Sequence, residues 1–157
     1  EKGLREACVK GPLAGYPVVN LKCTLVDGSY HPVDSSEIAF KTAAQLAYKA
    51  GMPQANPVLL EPIGTLKVTI PDSNMGDIMG DLNKRRGRVL GMNPVGDGYQ
   101  VVEAEVPMAE MMNYSIELRS MTQSRGQYVL EFSHYEEAPM PVQQKIIAEA
   151  QHAHDGE

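Results

Sequence analysis

The sequence predicts an α+β fold, and two observations support this prediction. The first is an amphipathic helix over residues 76–87, whose apolar side chains recur with a period of 3.6 residues. The stripe consists of Met75, Ile78, Met79 and Leu82. The second observation is a repeat of this helix 39 residues later, with strand-like segments around both copies. Two such halves joined by a hairpin give the order β-α-β-β-α-β, which is the ferredoxin-like arrangement.

The repeat preserves both the apolar stripe and the residues that end the helix. It places Tyr114, Leu118 and Met121 in the second stripe, and Arg125-Gly126 where the first copy has Arg86-Gly87. The strands are predicted at residues 66–70, 88–92, 101–106 and 127–135. From Pro71 to Arg86 there are 15 residues, and from Pro107 to Arg125 there are 18, so the second helix is expected to be nearly one turn longer.

Glycines inside and just after the first helix lead to two further predictions. Gly76 and Gly80 lie four residues apart, and glycine inside a helix costs about 1 kcal/mol relative to alanine. We therefore expect a neighbouring segment to pack closely against them. The helix ends on cations beside the negative end of its dipole, and Gly87 is expected to take the left-handed position that follows a helix.

The first 55 residues predict a smaller, partial α+β domain. Residues 18–27 alternate between apolar and polar like a half-buried strand, so Cys23 is interpreted as a buried, small hydrophobic residue. Asp34 is expected to cap a helix that runs to Ala50 and packs its alanine-rich face on a sheet. The strand lacks predicted neighbours, which favours a strand-paired dimer or a mobile segment.

The proline-punctuated link over residues 52–57 is the predicted domain boundary. We assign residues 1–55 to the partial domain and residues 56–138 to the ferredoxin-like domain. Residues 139–157 are expected to form a carboxy-terminal helix and tail, with Pro141 near the first helical turn.

The composition is that of a globular protein. The chain has 157 residues, of which 43% are hydrophobic and 22% charged. It has neither an apolar run of about 18 residues nor a signal-peptide pattern, so no membrane association is expected. Its two cysteines have neither metal-ligand nor redox spacing, which favours a reducing, intracellular compartment. The net charge of −6 argues against a protein that coats nucleic acid but permits RNA contact through a local basic patch.

The sequence contains no recognised catalytic motif: a P-loop, GxSxG and HExxH are all absent. Glu103 and Glu105 alternate with apolar residues along a strand and are interpreted as a solvated face rather than an acid–base pair. His152 and His154 are interpreted as part of a disordered tail rather than as metal ligands. We predict no catalytic residue, cofactor site or metal site in this chain.

Two features are candidate binding sites. The first is a dense cluster of cations, and it consists of Lys84, Arg85, Arg86 and Arg88. It either complements a helix dipole or contacts RNA phosphates. The second is the loop residues Ser29, Tyr30 and His31, which either contact bases, phosphates and 2′-hydroxyl groups or fold back over the neighbouring strand.

The strings GSYHPVDSSE and GDIMGDLNKRRG, and the segments around them, resemble bacterial elongation factor G. Residues 15–51 are similar to the second half of its fourth domain and residues 56–139 to its whole fifth domain. The resemblance implies a part of a translational GTPase that moves transfer RNA and messenger RNA through the ribosome. It also implies that residues 28–33 form the tip that enters the decoding region, with His31 at the family's tip histidine. The fifth domain would contact large-subunit ribosomal RNA and the stalk-base protein.

The resemblance also has departures. The chain lacks the family's nucleotide-binding domain, so GTP and Mg²⁺ are expected only in the parent protein, in the cytoplasm. Asn113-Tyr114-Ser115-Ile116 stands where the family commonly has GYAT, and Ser124 stands where TQGR has glycine. Pro32 replaces a common aspartate. Two alternatives therefore stay open: a specialised paralogue in recycling or ribosome protection, and a free-standing ferredoxin-like module that binds a small ligand.

Overall fold

The computed structural model describes residues 1–156 and contains two compact units. The first unit combines Glu1–Leu59 with the residues from Ala138 onward, and the second is Leu60–Glu137. The helices are α1 (Lys2–Ala7), α2 (Glu37–Gly51), α3 (Met75–Lys84), α4 (Tyr114–Thr122) and α5 (Met140–His154). The strands are β1 (Leu60–Pro71), β2 (Arg88–Gly96), β3 (Tyr99–Pro107) and β4 (Gln127–Glu137). His152 and His154 belong to α5, which corrects their interpretation as part of a disordered tail. Glu157, the last residue of the predicted tail, lies outside the described residues.

The second unit has the ferredoxin-like fold that the sequence predicts. Its sheet has the order β2-β3-β1-β4, and all neighbouring strands are antiparallel. Leu66 on β1 faces Ala104 on β3 and Leu130 on β4, and this register places the apolar sides of the three strands on one face. The order follows from two interleaved β-α-β halves, because each half contributes one central and one edge strand.

The core lies between that face of the sheet and the helices α3 and α4. Both helices insert their predicted apolar stripes, and the side chains of Ile78, Leu82 and Tyr114 are fully buried. The strands contribute Leu66, Val68, Ile70, Val102, Ala104 and Val106. Because burial of apolar surface stabilises a fold in proportion to its area, this continuous cluster is the hydrophobic core of the unit.

The predicted difference in helix length is wrong. Helix α3 has 10 residues and α4 has 9. The additional residues of the second half instead form a longer approach to the helix, with a 3-10 turn at Met108–Met111 and Asn113 at a φ of 64°. The first half has only the three-residue 3-10 turn Asp72–Asn74 at this place.

The glycine predictions for α3 are also wrong. A Cβ atom at Gly76 or Gly80 would meet no other atom within 4 Å, so neither glycine serves close packing. The left-handed residue after α3 is Arg86, with a φ of 61°, whereas Gly87 does not have a positive φ. Gly87 is instead favoured by proximity, because a Cβ atom there would lie 3.0 Å from the Leu82 oxygen and 3.1 Å from Val106 Cγ1, which is a tight contact.

In the first unit, α1 packs on α2 through Gly3. A Cβ at Gly3 would lie 2.8 Å from the Cα of Lys41, so only glycine permits this approach. The cap of α2 is Ser36, whose side chain accepts a hydrogen bond from the Ala39 N–H at 3.1 Å, rather than the predicted Asp34. In α5, the buried Gln143 side chain accepts from the Leu59 N–H and donates to the Ala138 carbonyl.

The predicted strand at residues 18–27 does not form. Nothing in residues 1–59 has strand structure, and the side chains of Leu25 and Val26 are each 91% exposed. Cys23 is exposed as well, which corrects its interpretation as a buried residue. The physical reason is that a strand needs neighbours for its N–H and C=O groups, and no strand of the described chain pairs with this segment. The α2 face that was expected to cover a sheet is therefore only partly covered, because α1 lies against Ala44 while Leu46 is 62% exposed.

Candidate functional site

The loop at residues 28–33 presents its side chains to solvent. Ser29 and His31 are exposed, and Tyr30 is 67% exposed. The ring of Tyr30 lies nearly parallel to that of Phe40 on α2, with 6.5 Å between the ring centroids. Tyr30 thus leans on a helix, since the strand it was expected to cover is absent. Its exposed face and the imidazole of His31 are available for stacking and hydrogen bonding.

The carboxyl end of this loop is held by one serine. The His31 N–H donates to Ser35 Oγ at 2.8 Å, and the Ser35 N–H donates back to the His31 carbonyl at 2.9 Å. These two bonds close a turn just before α2, so the loop has one anchored end. The site is an exposed contact surface at the amino-terminal side of α2.

The four clustered cations do not form one exposed basic surface. Arg85 is only 7% exposed, and its guanidinium bonds Asp81 at 2.9 Å and Glu117 at 2.7 Å. The same group lies 5.0 Å from the ring centroid of Tyr114. Burial lowers the pKa of the Arg85 guanidinium, but the hydrogen bond and charge of Asp81, with the charge of Glu117, outweigh it and raise the pKa. Arg85 is therefore a structural ion-pair residue.

Arg86 is bound in the same way. Its guanidinium makes two bonds of 2.9 Å to the carboxylate of Glu61, which is itself buried, and approaches Glu110 at 3.4 Å. The hydrogen bond from Arg86 to Glu61 raises the pKa of the guanidinium. Such a two-pronged pair fixes the side chain of Arg86, which occupies the left-handed position after α3.

Lys84 and Arg88 are the exposed members of the cluster. Arg88 pairs with Glu105, while Lys84 has no carboxylate within 4 Å among residues 1–156. The interpretation that these cations complement the helix dipole therefore accounts for Arg85 and Arg86 only in part, because both also form ion pairs with specific carboxylates. Any RNA contact from this cluster would involve Lys84 and Arg88.

Sequence reasoning missed two exposed arginines at the far end of α4. Arg119 lines a groove of about 350 Å³ between α4 and β4, together with Ser115, Gln127 and Tyr128. Arg125 precedes Gly126 of the same groove, and neither arginine has a carboxylate partner among the described residues. The repeat could have drawn attention to them, since Arg125 corresponds to Arg86 but has no counterpart of Glu61.

A second missed group lies on the sheet. Atoms of Glu105, His134 and Glu136 that could each serve as a metal ligand lie within 4.8 Å of one another. His134 Nε2 is 2.7 Å from Glu136 Oε1. The sequence separates Glu105 from the other two by about 30 positions, so only the pairing of the strands brings them together.

Two family models match the chain in succession. "Elongation factor G, domain IV" matches residues 1–56 and "Elongation factor G C-terminus" matches residues 58–146. The chain belongs to the elongation factor G family. A crystal structure of a Thermus thermophilus protein is similar to it, with 50% identity and a TM-score of 0.84 over 96% of this chain. This chain spans 23% of the length of that protein.

The family assignment confirms the resemblance and gives the chain its place in a translation elongation factor. Residues 1–56 correspond to domain IV and residues 58–146 to the carboxy-terminal domain, and neither matched region is a GTPase domain. None of the helices in residues 1–156 has the length and apolarity needed to cross a bilayer.

Proposed function

We propose that this chain is the ribosome-contacting part of an elongation factor G-like GTPase that promotes translocation of transfer RNA and messenger RNA in the cytoplasm. The observation that supports this most directly is the succession of two elongation factor G regions along residues 1–146. GTP and Mg²⁺ would be bound by another domain of the parent protein.

The role we propose for the loop at residues 28–33 is contact with RNA in the decoding site. Three exposed side chains support it: Ser29, Tyr30 and His31 offer a hydroxyl, an aromatic face and an imidazole. Groups of this kind recognise unpaired nucleotides. In the second unit, Lys84, Arg88, Arg119 and Arg125 are the exposed arginine and lysine side chains best placed to contact ribosomal RNA or a stalk-base protein. Arg85 and Arg86 would support the surface from within.

The test uses a longer protein in which this chain is joined to the GTPase and other upstream domains. We expect His31→Ala to slow translocation while ribosome-stimulated GTP hydrolysis stays near normal, because the loop would act after hydrolysis at a different site. His152→Ala, which removes an exposed histidine from α5, is the matched control. Equal losses in both rates for His31→Ala would contradict a role at the tip.

Co-sedimentation of the chain with ribosomes tests the binding itself. Charge reversal at Arg88 is expected to weaken ribosome binding and flatten its salt dependence. Binding with no translocation activity in the longer protein would favour the specialised paralogue, for which the departures at residues 113–116 and Ser124 argue. Failure to bind ribosomes together with saturable binding of a small ligand would instead favour a free-standing module.

A further inference from the structure

Glu105, His134 and Glu136 meet across three strands on the face of the sheet opposite α3 and α4. Glu105 lies on β3 and the other two on β4, and β1 runs between these strands. Thr65 on β1 faces Glu105, and Ile63 on β1 faces His134. Residues 63 and 65 share one face because strand residues alternate, so the ligand atoms converge above β1.

A β-bulge is responsible for this convergence. On β4, Phe132 faces Gly64 while His134 faces Ile63, which leaves Ser133 as an additional residue without a partner. Without the bulge, His134 would follow Leu130 and point toward the core. With it, His134 and Glu136 point to the same side as Glu105. Bulges commonly redirect side chains in this way at functional places.

The imidazole of His134 is held in a fixed orientation. Ser133 Oγ lies 2.8 Å from Nδ1, and Glu136 Oε1 lies 2.7 Å from Nε2. When Nδ1–H donates to Ser133 Oγ, Nε2 carries the lone pair that a metal ion binds, and a ring nitrogen with such an outer partner is the usual arrangement of a metal-binding histidine. Arg88 plays the corresponding part for Glu105, because it contacts Oε2 and leaves Oε1 available.

The spacing fits a zinc ion after small side-chain movements. Zinc binds nitrogen and carboxylate oxygen at about 2.0–2.2 Å, so two ligand atoms of one tetrahedral ion lie about 3.3 Å apart. The His134–Glu136 contact of 2.7 Å would open slightly to admit the ion. Glu105, within 4.8 Å of the others, would move closer by a rotation of its flexible side chain.

We propose that Glu105, His134 and Glu136 bind a divalent transition-metal ion, for which Zn²⁺ is the best match. Imidazole combined with carboxylates favours zinc over Mg²⁺ and Ca²⁺, which prefer oxygen ligands throughout. Three protein ligands leave a fourth position for water. The ion would link β3 to β4 across β1. The metal proposal does not require ribosome binding, although Arg88, which contacts Glu105, is also a proposed ribosome contact.

The test is calorimetric titration of the metal-free full chain with Zn²⁺, with Co²⁺ as a spectroscopic substitute. We expect saturable binding of one ion per chain in the micromolar range. His134→Ala and Glu136→Gln should each weaken binding at least tenfold. The control is His152→Ala/His154→Ala, which removes the two exposed histidines of α5 and should leave binding at the sheet unchanged. Melting curves of the metal-free variants show whether each one is folded.

Several results would overturn the proposal. One is the absence of zinc binding by the folded wild-type chain. Another is binding that survives His134→Ala and Glu136→Gln but is lost in the α5 control, which would reveal an adventitious ion only. A thiolate-to-cobalt charge-transfer band that disappears in Cys8→Ser or Cys23→Ser would place the ion on a cysteine and would also contradict the proposal.

Discussion

At the scale of single residues, the most informative position is Tyr114. Its side chain is fully buried beside Arg85, and its hydroxyl has no hydrogen-bond partner among residues 1–156. The ring meets Tyr128 edge to face, with centroids 5.0 Å apart. The ring therefore provides the packing, while a buried hydroxyl without a partner is unfavourable.

We expect Tyr114→Phe to leave stability unchanged or raise it by about 1 kcal/mol at pH 7. Burial raises the pKa of the Tyr114 hydroxyl in the folded state, whereas an unfolded tyrosine titrates near pH 10. Below pH 10 both states keep the hydroxyl neutral, so the free energy of unfolding does not depend on its titration. As the pH rises above 10 toward the folded-state pKa, only the unfolded state ionises, and the folded state loses stability relative to it. Denaturant titrations from pH 7 to 11 should show a smaller alkaline loss for Tyr114→Phe, and an equal loss would contradict the assignment.

Arg85 and Arg88 are expected to differ strongly although both belong to the basic cluster. Removing Arg85 leaves the nearly buried carboxylate of Asp81 without its partner, so Arg85→Met should cost about 3 kcal/mol. Arg88 is 69% exposed, and Arg88→Met should cost less than about 1 kcal/mol. Urea unfolding of both variants measures the difference.

At the scale of elements, the glycine inside helix α3 and the glycines that follow α3 and α4 have different roles. Gly80 has open space where a Cβ atom would stand, whereas Gly87 lies against the Leu82 oxygen and Val106. In both halves, the glycine of the Arg-Gly pair lies close to the preceding helix, because Gly126 likewise lies against the side chains of α4. The left-handed turn itself is made by Arg86 in one half and by residues 123 and 124 in the other.

We expect Gly80→Ala to stabilise the chain by about 0.5 to 1 kcal/mol, because alanine has the higher helix propensity and meets no clash. Gly87→Ala, the matched substitution, should destabilise it by about 1 to 3 kcal/mol through overpacking. Thermal unfolding of both variants is the measurement. A loss of stability for Gly80→Ala would restore the close-packing interpretation of that glycine.

At the scale of the whole molecule, the two units differ in how much of their backbone is hydrogen-bonded in regular structure. The second unit has a four-stranded sheet and one continuous core. In the first unit, residues 18–30 have no regular structure, and several of their apolar side chains are exposed. Cooperative stability should therefore reside mainly in the second unit.

We expect a chain of residues 60–137 to unfold cooperatively by itself, because its core is complete without the first unit. In the full chain, hydrogen exchange should protect residues 128–132 far more than residues 20–25. Amide exchange and a thermal melt of the shorter chain are the measurements. A non-cooperative melt, or equal protection of both segments in dilute solution, would contradict this view of the molecule.

The sequence by itself determined the elements and topology of the second unit. Periodicity is a local property, so the stripes of α3 and α4 and the strands around them could be predicted from residues close together in the chain. The family strings also led to the prediction that the loop with Tyr30 and His31 is a contact site. The same reasoning failed at residues 18–27, because alternation describes a strand's faces but cannot supply the neighbour that its backbone requires.

Only the tertiary structure decided which charged residues are available for contact. In the sequence, Arg85 and Arg86 look like exposed cations, but the fold brings Glu61, Glu110 and Glu117 to them from other elements. His134 similarly meets Glu105 only through strand pairing and a bulge. Charge partners at such sequence separations leave no periodic pattern in the chain, since they depend on how the elements pack rather than on how each one forms.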